Sequence, residues 1–476
     1  MSHEDLREKM KAIRREAIQR AVPSNKERRE TLRFSKSIVR RLETELKSAG
    51  IDAQAQIEGS IAKDTWLAEE TDIDLFMLLP KTYKREDFAR VLNVAKKVAG
   101  ENYLEAYAEH PYIEAKIDGF TVDFVPCFKI EGAQEAASSV DRTPLHTLYV
   151  KGKLSGEMKN EVRLLKRFMR GIGTYGAEIK VGGFSGYLCE VLTMHFGSFT
   201  RLLEAAANWR GREVIDIEGH YKTRESEARK IFQEPLIVVD PVDKGRNVAS
   251  AVSIDKLNEF IAASRAFLKE PNINFVYPQP AGALSIRELA QTMEARGSTF
   301  IFLKTSIART VPDVLWGQLY KSKKALGELI RHHGFILISD NVWSDEKETT
   351  LFLFELNSRS LPTVERHQGP PVEKKEECER FLKKYAGAAE TLSGPRIGGD
   401  RWIVERRRKY TDVVDLLKDY LKDGGENIGN ASRVSEAFKH GFEVWINNEV
   451  EKFYSENTDF ASFLTEHLRG RPRWFQ

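Results

Sequence analysis

The chain has 476 residues, 41% of them hydrophobic, with 74 Lys and Arg against 71 Asp and Glu and a net charge of +3. That length is too great for one core and predicts three or four domains. The near-balance of charge excludes a globally basic nucleic-acid binder, so a nucleic-acid partner would have to meet local patches. No run of 18 apolar residues occurs, which argues against a membrane span, and the charged start Met1-Ser2-His3-Glu4-Asp5 lacks the apolar stretch of a signal peptide. Cys127, Cys189 and Cys378 lie far apart and match no zinc or disulfide spacing, which suits a reducing cytoplasm.

Residues 3–48 are densely charged with Leu and Ile at helical spacing, predicting two helices broken near Pro23-Ser24-Asn25 and closed by Gly50. Residues 53–58 and 73–79 read as strands. Residues 84–99 read as a helix burying Phe88, Val91, Leu92, Val94, Ala95 and Val98. Strands at 112–117 and 120–125 flank Asp118-Gly119, a strong hairpin signal. The pattern from 157 to 265 is mostly helical, with Ser185 placed to cap a helix over 186–196. Residues 235–247 break that pattern and read as a strand ending in a polar turn. Three prolines between 271 and 280 predict a boundary. Beyond it come a strand at 300–304, a helix at 314–332, a hairpin of 335–339 with 349–356, and a loop at 366–371. A basic strand-like segment at 402–410 follows, then helices running to an Arg-rich end that reads as either an RNA contact or a frayed tail.

The sharpest chemical signal is a set of three carboxylates. Asp72 and Asp74 are two apart in Thr71-Asp72-Ile73-Asp74-Leu75-Phe76-Met77-Leu78-Leu79, so they share one strand face. Asp123 lies in a second short apolar run, Phe120-Thr121-Val122-Asp123-Phe124-Val125. If the strands are neighbours the three converge. Bare carboxylates that close repel, so the arrangement makes sense around cations, and hard oxygen ligands suit Mg²⁺. Gly59-Ser60, between a strand and a helix start, can turn backbone N–H groups and the Ser60 hydroxyl toward an anion. The plainer alternative, two capping aspartates and a hairpin, fits poorly with the depletion of Asp in strand interiors. Gly-Ser, then Asp-x-Asp, then a third Asp resembles the nucleotidyltransferase superfamily that includes DNA polymerase beta and the poly(A) polymerases.

Further stretches narrow the resemblance. Asp141-Arg142-Thr143-Pro144-Leu145-His146, Asn160-Glu161-Val162-Arg163-Leu164-Leu165-Lys166, Tyr175-Gly176-Ala177-Glu178, Gly183-Phe184-Ser185-Gly186-Tyr187-Leu188-Cys189-Glu190, and Asp240-Pro241-Val242-Asp243 with Arg246-Asn247-Val248-Ala249 are similar to the archaeal, class I, CCA-adding enzymes. The resemblance is strong over the first 265 residues and weaker beyond. It implies an α+β multidomain protein: a catalytic head with a polymerase-beta-like palm over 1–150, a helical central domain completing the nucleotide pocket over 151–265, an α+β body over 266–390, and a basic tail for tRNA contact over 391–476.

The same resemblance implies template-independent addition of CCA to the 3′ end of tRNA from CTP and ATP, with Asp72, Asp74 and Asp123 holding two Mg²⁺ ions. It assigns Gly59, Ser60, Lys63, Lys166 and Tyr175 to the triphosphate, Thr143 and His146 to the neighbourhood of the sugar and phosphates, and Arg246 to the base edge. Lys63 stands where relatives commonly have Arg, which replaces a bidentate grip with a point charge. Without the resemblance, Lys166 reads as an exposed lysine, Tyr175 as a core tyrosine and Arg246 as a solvated turn residue. Arg406, Arg407, Arg408 and Lys409, with Trp402 and Tyr410, form a basic aromatic segment suited to the tRNA acceptor stem or elbow. The family analogy leaves homodimer and monomer open. A poly(A) polymerase or oligoadenylate synthetase-like activity shares the palm chemistry and is the alternative enzyme. A non-catalytic RNA-binding scaffold would not need all three carboxylates and the Gly-Ser turn.

Overall fold

The computed structural model describes residues 3–107, 111–222, 224–279 and 282–475. The chain divides into two units, Met1–Pro280 with Arg471–Gln476, and Ala281–Gly470. Pro280, in the proline-rich stretch where the sequence predicts a boundary, lies outside the described residues.

The first unit begins with helices α1 (His3–Ala21) and α2 (Asn25–Ser48). Ser24 starts α2 by a reciprocal cap. Its hydroxyl accepts from the Glu27 N–H at 3.2 Å, and the Glu27 carboxylate accepts from the Ser24 N–H at 2.7 Å. Ile38, Leu42 and Leu46, four apart, bury one face of α2 in the palm core. The palm follows as β1 (Gln54–Ile57), α3 (Gly59–Lys63), β2 (Asp72–Leu79), α4 (Phe88–Ala99), β3 (Tyr103–Tyr107), β4 (Pro111–Ile117) and β5 (Phe120–Phe128).

These strands form one sheet in the order β1-β2-β5-β4-β3. Only the central pair, β2 with β5, is parallel. A parallel pair needs a crossover connection, and α4 supplies it, burying the six residues that its spacing predicts. Asp118 (φ 51°) and Gly119 (φ 86°) both take the left-handed conformation, as a two-residue hairpin turn between twisted strands requires. Strand β3 is not foreshadowed in the sequence. It is a short edge strand whose inward alternation rests on Leu104 and Ala106, and pairing with β4 supplies the rest.

Helices α5 (Thr143–Lys153), α6 (Gly156–Gly171), α7 (Gly186–Phe196) and α8 (Phe199–Ala206) continue the unit. Strand β6 (Glu213–Ile215), helix α9 (Glu225–Ile231), strands β7 (Leu236–Asp240) and β8 (Asp243–Asn247), and helix α10 (Ile254–Lys269) complete it. Ser185 caps α7 as expected, accepting from the Leu188 N–H at 3.0 Å. An aromatic cluster of Phe168, Phe184, Phe199, Phe260 and Phe267 fills the core between these helices. The Arg-rich end of the chain is not frayed. Trp474 is buried, stacks on Phe275 at 5.1 Å between ring centroids, and donates its indole N–H to Glu259 at 2.6 Å.

The second unit contains helix α11 (Ile286–Ala295), strand β9 (Thr299–Ser306), helix α12 (Pro312–His332), strands β10 (Leu337–Ser344), β11 (Thr349–Leu356) and β12 (Val364–Pro371), and helix α13 (Lys375–Tyr385). Strands β13 (Thr391–Gly398) and β14 (Arg401–Arg407), helices α14 (Val413–Leu421) and α15 (Ser432–His440), strand β15 (Phe442–Ile446), and helices α16 (Glu451–Glu456) and α17 (Thr458–Arg469) follow. Its two sheets run β10-β11-β9-β15 and β12-β14-β13. The segment at 366–371, expected as a loop, is part of β12. Its Gly-Pro-Pro sequence misleads because β12 is an edge strand, where a missing N–H can face away from the ladder. Strand β15, read as helix from the sequence, joins the first sheet by pairing with β9.

Candidate active site

Strand register brings the carboxylates together. In the parallel pair, Asp74 stands beside Asp123, and Asp72 beside Thr121. Loss of solvent around each carboxyl raises all three above the usual range, with Glu70 adding to Asp72. For Asp123, burial comes first and the neighbouring Asp74, Glu114 and Asp72 charges push it up to about 8. Its Oδ1 is buried with no hydrogen-bond partner. A buried, unpartnered carboxylate oxygen beside another carboxylate is unstable as an anion unless a cation joins it, so the donor set fits a divalent ion. Among the described residues no three His, Cys, Asp or Glu side chains form a ready-made cage for an ion. Mg²⁺ seldom has one. It is held by one or two carboxylates and completes its shell with substrate phosphate and water.

The turn before α3 is fitted to this cluster. Gly59 has φ 63°, and a Cβ there would fall 1.8 Å from Asp74 Oδ2. Only glycine permits that approach. The Glu58 N–H donates to the Asp74 carbonyl at 2.9 Å, tying the turn to β2. Ser60 follows directly, at the lip of a cleft of about 560 Å³ whose lining includes Gly59, Ser60, Lys63, Asp74, Asp123, Thr143, His146, Lys166, Tyr175, Tyr187 and Arg246. The cleft thus collects the nucleotide residues expected from sequence with two of the three carboxylates. Asp72 lies two residues earlier on the same face of β2, at its start, outside the cleft lining.

The cationic wall is built from buried groups. Lys63 Nζ donates to Glu190 Oε2 at 2.6 Å, and the Thr65 hydroxyl donates to Glu190 Oε1 at 2.5 Å. Glu190 is 1% exposed and Lys63 7%. Lys166 is not the exposed lysine that its position on α6 suggests by itself. It is buried and donates to the Thr65 carbonyl at 3.0 Å. Gly186, at the start of α7, leaves room for both partners: a Cβ there would meet the Tyr175 hydroxyl at 3.2 Å and Lys166 Nζ at 3.5 Å.

A second buried carboxylate organises a neighbouring group of cleft residues. Asp240 Oδ2 accepts from His146 Nε2 at 2.9 Å and from Arg246 Nη1 at 2.6 Å. Its Oδ1 accepts from the Tyr187 hydroxyl at 3.1 Å and from the Val242 N–H at 3.0 Å. Burial alone would raise the Asp240 carboxyl; the hydrogen bond from His146 and the Arg246 charge outweigh it and hold the group down at about 2. Burial lowers His146, against the raising effect of the Asp240 hydrogen bond and charge. The His146 ring stacks on Tyr187 at 4.1 Å.

Arg246 is not on a turn as the sequence suggests. It lies on β8, hairpinned to β7; the charged and glycine residues of Asp243-Lys244-Gly245-Arg246-Asn247 conceal a strand whose stability comes from pairing. Sequence reading assigns no role to Glu190, Asp240 or Tyr187. The signal was present: each acid ends or interrupts an apolar run, Leu236-Ile237-Val238-Val239-Asp240 and Leu188-Cys189-Glu190-Val191-Leu192. The same anomaly marks the palm aspartates.

In the second unit, Arg406, Arg407, Arg408 and Lys409 line one open cleft with His332, His333, Glu365, Glu390 and Tyr410. Alternation along β14 divides the run. Arg406 and Arg408 both pair with Glu365, at 2.7 and 3.1 Å, while Arg407 is exposed. Lys409 lies 3.5 Å from Asp419.

Three family models match the chain in succession: a nucleotidyltransferase domain over residues 39–146, the second domain of tRNA nucleotidyltransferase over 160–277, and the C-terminal domain of CCA-adding enzymes over 296–447. The chain is 39% identical to the CCA-adding enzyme of Methanosarcina acetivorans over 87% of its own length and 88% of that protein. It is 36% identical to the CCA-adding enzyme of Methanothermobacter thermautotrophicus, covering 94% of this chain and 95% of the other. Among solved structures, Cid1 poly(U) polymerase with Mg 3′-dATP bound is similar over 56% of this chain and 94% of its own, at 17% identity and a TM-score of 0.44. With identity sustained along nearly the whole length and all three domain models in order, the chain belongs to the CCA-adding enzymes.

Proposed function

We propose that this chain adds C, C and A in turn to the 3′ end of tRNA, taking CTP and ATP without a nucleic-acid template and releasing pyrophosphate. The supporting observation is the coincidence in one cleft of adjoining palm carboxylates, a glycine-serine turn and buried cationic groups, in a chain related to CCA-adding enzymes throughout its domains. Asp72, Asp74 and Asp123 would hold two Mg²⁺ ions, which when bound neutralise phosphate charge and favour the ionised 3′-hydroxyl.

The residues divide the remaining work. Ser60 and the Gly59 turn, Lys63, Lys166 and Tyr175 hold the triphosphate so that its α-phosphorus lies in line with the attacking oxygen. Asp123 takes the proton from the tRNA 3′-hydroxyl as the O–P bond forms and the bond to pyrophosphate breaks. Thr143 and His146 flank the sugar and phosphates. Arg246 presents guanidinium N–H groups to the base edge, where cytosine O2 and N3 or adenine N1 can accept. The cleft of Arg406, Arg407, Arg408 and Lys409 meets the phosphates of the acceptor stem or elbow. Cytoplasmic residence fits three cysteines that are all free thiols and buried.

The test is the product ladder on tRNA ending at the discriminator base, with each nucleotide alone and in combination. Two C additions from CTP, one A addition requiring ATP, and then arrest are expected. A run of A residues would instead assign poly(A) synthesis.

A further inference from the structure

We propose that Asp240 is the positioning residue of the nucleotide cleft: one buried carboxylate that fixes His146, Tyr187 and Arg246 as a single wall and thereby sets which nucleotides the cleft accepts. The inference rests on the reading that this cleft binds the incoming nucleotide. Asp240 is 0% exposed and is not itself among the cleft-lining residues, whereas all three of its side-chain partners are. A carboxylate offers about four acceptor positions. Here they are filled, two donors on each oxygen: His146 and Arg246 on Oδ2, Tyr187 and the Val242 N–H on Oδ1. Asp240 therefore has no acceptor left for a ligand or a cation and acts only through the groups it holds.

Those groups arrive from separate elements. His146 is on α5, Tyr187 on α7 and Arg246 on β8, while Asp240 closes β7. The backbone N–H of Val242, two residues on, adds a local hold on the carboxylate that depends on none of the three side chains. Arg246 is the partner with freedom to lose. Its side chain is 31% exposed and held by one nitrogen, so the other guanidinium N–H groups keep a defined direction only while Nη1 stays on Oδ2. Discrimination between base edges depends on donor direction, because a wandering guanidinium can donate to any acceptor.

The experiment compares Asp240→Asn with wild type, using kcat/KM for all four nucleotides on tRNA ending at the discriminator base and ending in CC. Asparagine keeps the shape and removes the charge. We expect CTP and ATP to lose about ten- to hundredfold, the worth of one charge-assisted hydrogen bond, mainly through KM, and UTP and GTP to lose much less, so that the preference narrows. In an Arg246→Ala background the same change should narrow the preference no further.

A folded Asp240→Asn protein with equal losses for all four nucleotides, or full additivity with Arg246→Ala, overturns the proposal. Should Asp240→Asn fail to fold, Asp240→Glu keeps the charge but moves it by one methylene. Placement then still predicts a narrowed preference, and an unchanged preference overturns it. If wild type makes no CCA ladder, the functional reading fails separately. The same comparison is then made on the dissociation constants of the four nucleotides without tRNA, where an unchanged ranking in the variants overturns the role of Asp240.

Discussion

The cleft proposed for the nucleotide in the first unit and the basic cleft of the second unit both place cations beside carboxylates, yet they handle the pairing in opposite ways. In the first, the acids are out of water: Glu190 is 1% exposed and Asp240 0%, and each fixes a side chain that faces the ligand space. In the second, Glu365 is 23% exposed and is shared between two arginines that are themselves partly in solvent. A buried pair is costly to break and holds one geometry. A half-solvated pair contributes little and yields easily. The first arrangement suits in-line chemistry, which tolerates little misplacement. The second suits a large polyanion whose phosphates are met in several registers.

The largest effect expected from disturbing the rigid cleft is at the carboxylates. Asp74→Asn and Asp123→Asn should each lower incorporation of CTP and ATP about a thousandfold or more at saturating Mg²⁺ if, as proposed, both groups serve bound cations. Stability should move the other way for Asp123. Its folded pKa, about 8, lies above the unfolded carboxylate value, so folding takes up a proton. In chelator, stability therefore falls as pH rises from about 4 to 8, and Asp123→Asn should flatten that slope. Urea denaturation with EDTA at pH 5 and pH 8 checks the sign. A wild-type protein that is more stable at pH 8 than at pH 5, with Asp123→Asn removing that gain, would falsify the raised Asp123 carboxyl that burial and the neighbouring charges produce.

Next is Gly59→Ala. A left-handed backbone costs a residue with a Cβ ~1–2 kcal/mol, and the methyl would displace the Asp74 carboxylate from 1.8 Å. We expect activity to drop about a hundredfold while the urea midpoint moves only modestly. An active Gly59→Ala protein would mean that the turn and Asp74 need not meet.

Glu190→Gln tests the buried pairing itself. Leaving Lys63 without its partner should destabilise the protein by roughly 3 kcal/mol and raise KM for both nucleotides about tenfold. Replacing both residues, Lys63→Met with Glu190→Met, should recover stability but not nucleotide affinity, because apolar side chains of similar volume fill the space without supplying charge. If the double variant binds nucleotide normally, Lys63 is structural.

How much of this was legible beforehand depended on whether the signal was local. The Asp72–Asp74 spacing, the Asp118-Gly119 turn, the α4 stripe and the Ser185 cap are each set within a few residues, and the structure shows them as the sequence implies. Edge strand β12 and strand β15 are defined by partners distant in the chain, and their compositions point to loop and helix; β8 pairs with its neighbour β7, but its charged and glycine residues read as a turn. The residues that line the cleft were readable as candidates because their motifs are contiguous. Glu190 and Asp240 were not, because what marks them is contact with Lys63, 127 residues away, and His146, 94 residues away. A supporting acid declares itself only once the fold has brought its partners to it.

The smallest effect separates the two clefts by sign. Removing the carboxylate charge at Glu190 should weaken nucleotide binding, because a fixed cation loses its anchor. Removing it at Glu365 should strengthen tRNA binding. Arg406 and Arg408 would no longer share a counter-charge, and the surface potential facing the RNA would rise. Arg406 has a second hold, donating to the Tyr385 hydroxyl at 3.1 Å, and Arg408 donates to the His333 carbonyl at 3.0 Å, so neither depends on Glu365 for its place. For Glu365→Gln we expect tRNA affinity to rise about two- to fivefold at low salt, in keeping with the small worth of solvated pairs. The gain should fade as salt screens the field, and nucleotide KM should not change. The measurement is tRNA binding across a salt series for wild type, Glu365→Gln and Arg407→Ala. In the last, one phosphate is no longer neutralised, and the slope of log affinity against log salt should fall by roughly 0.7 to 0.9. Equal affinity and equal slope in all three would remove tRNA from this cleft and leave its arginines as an internal brace between β12 and β14.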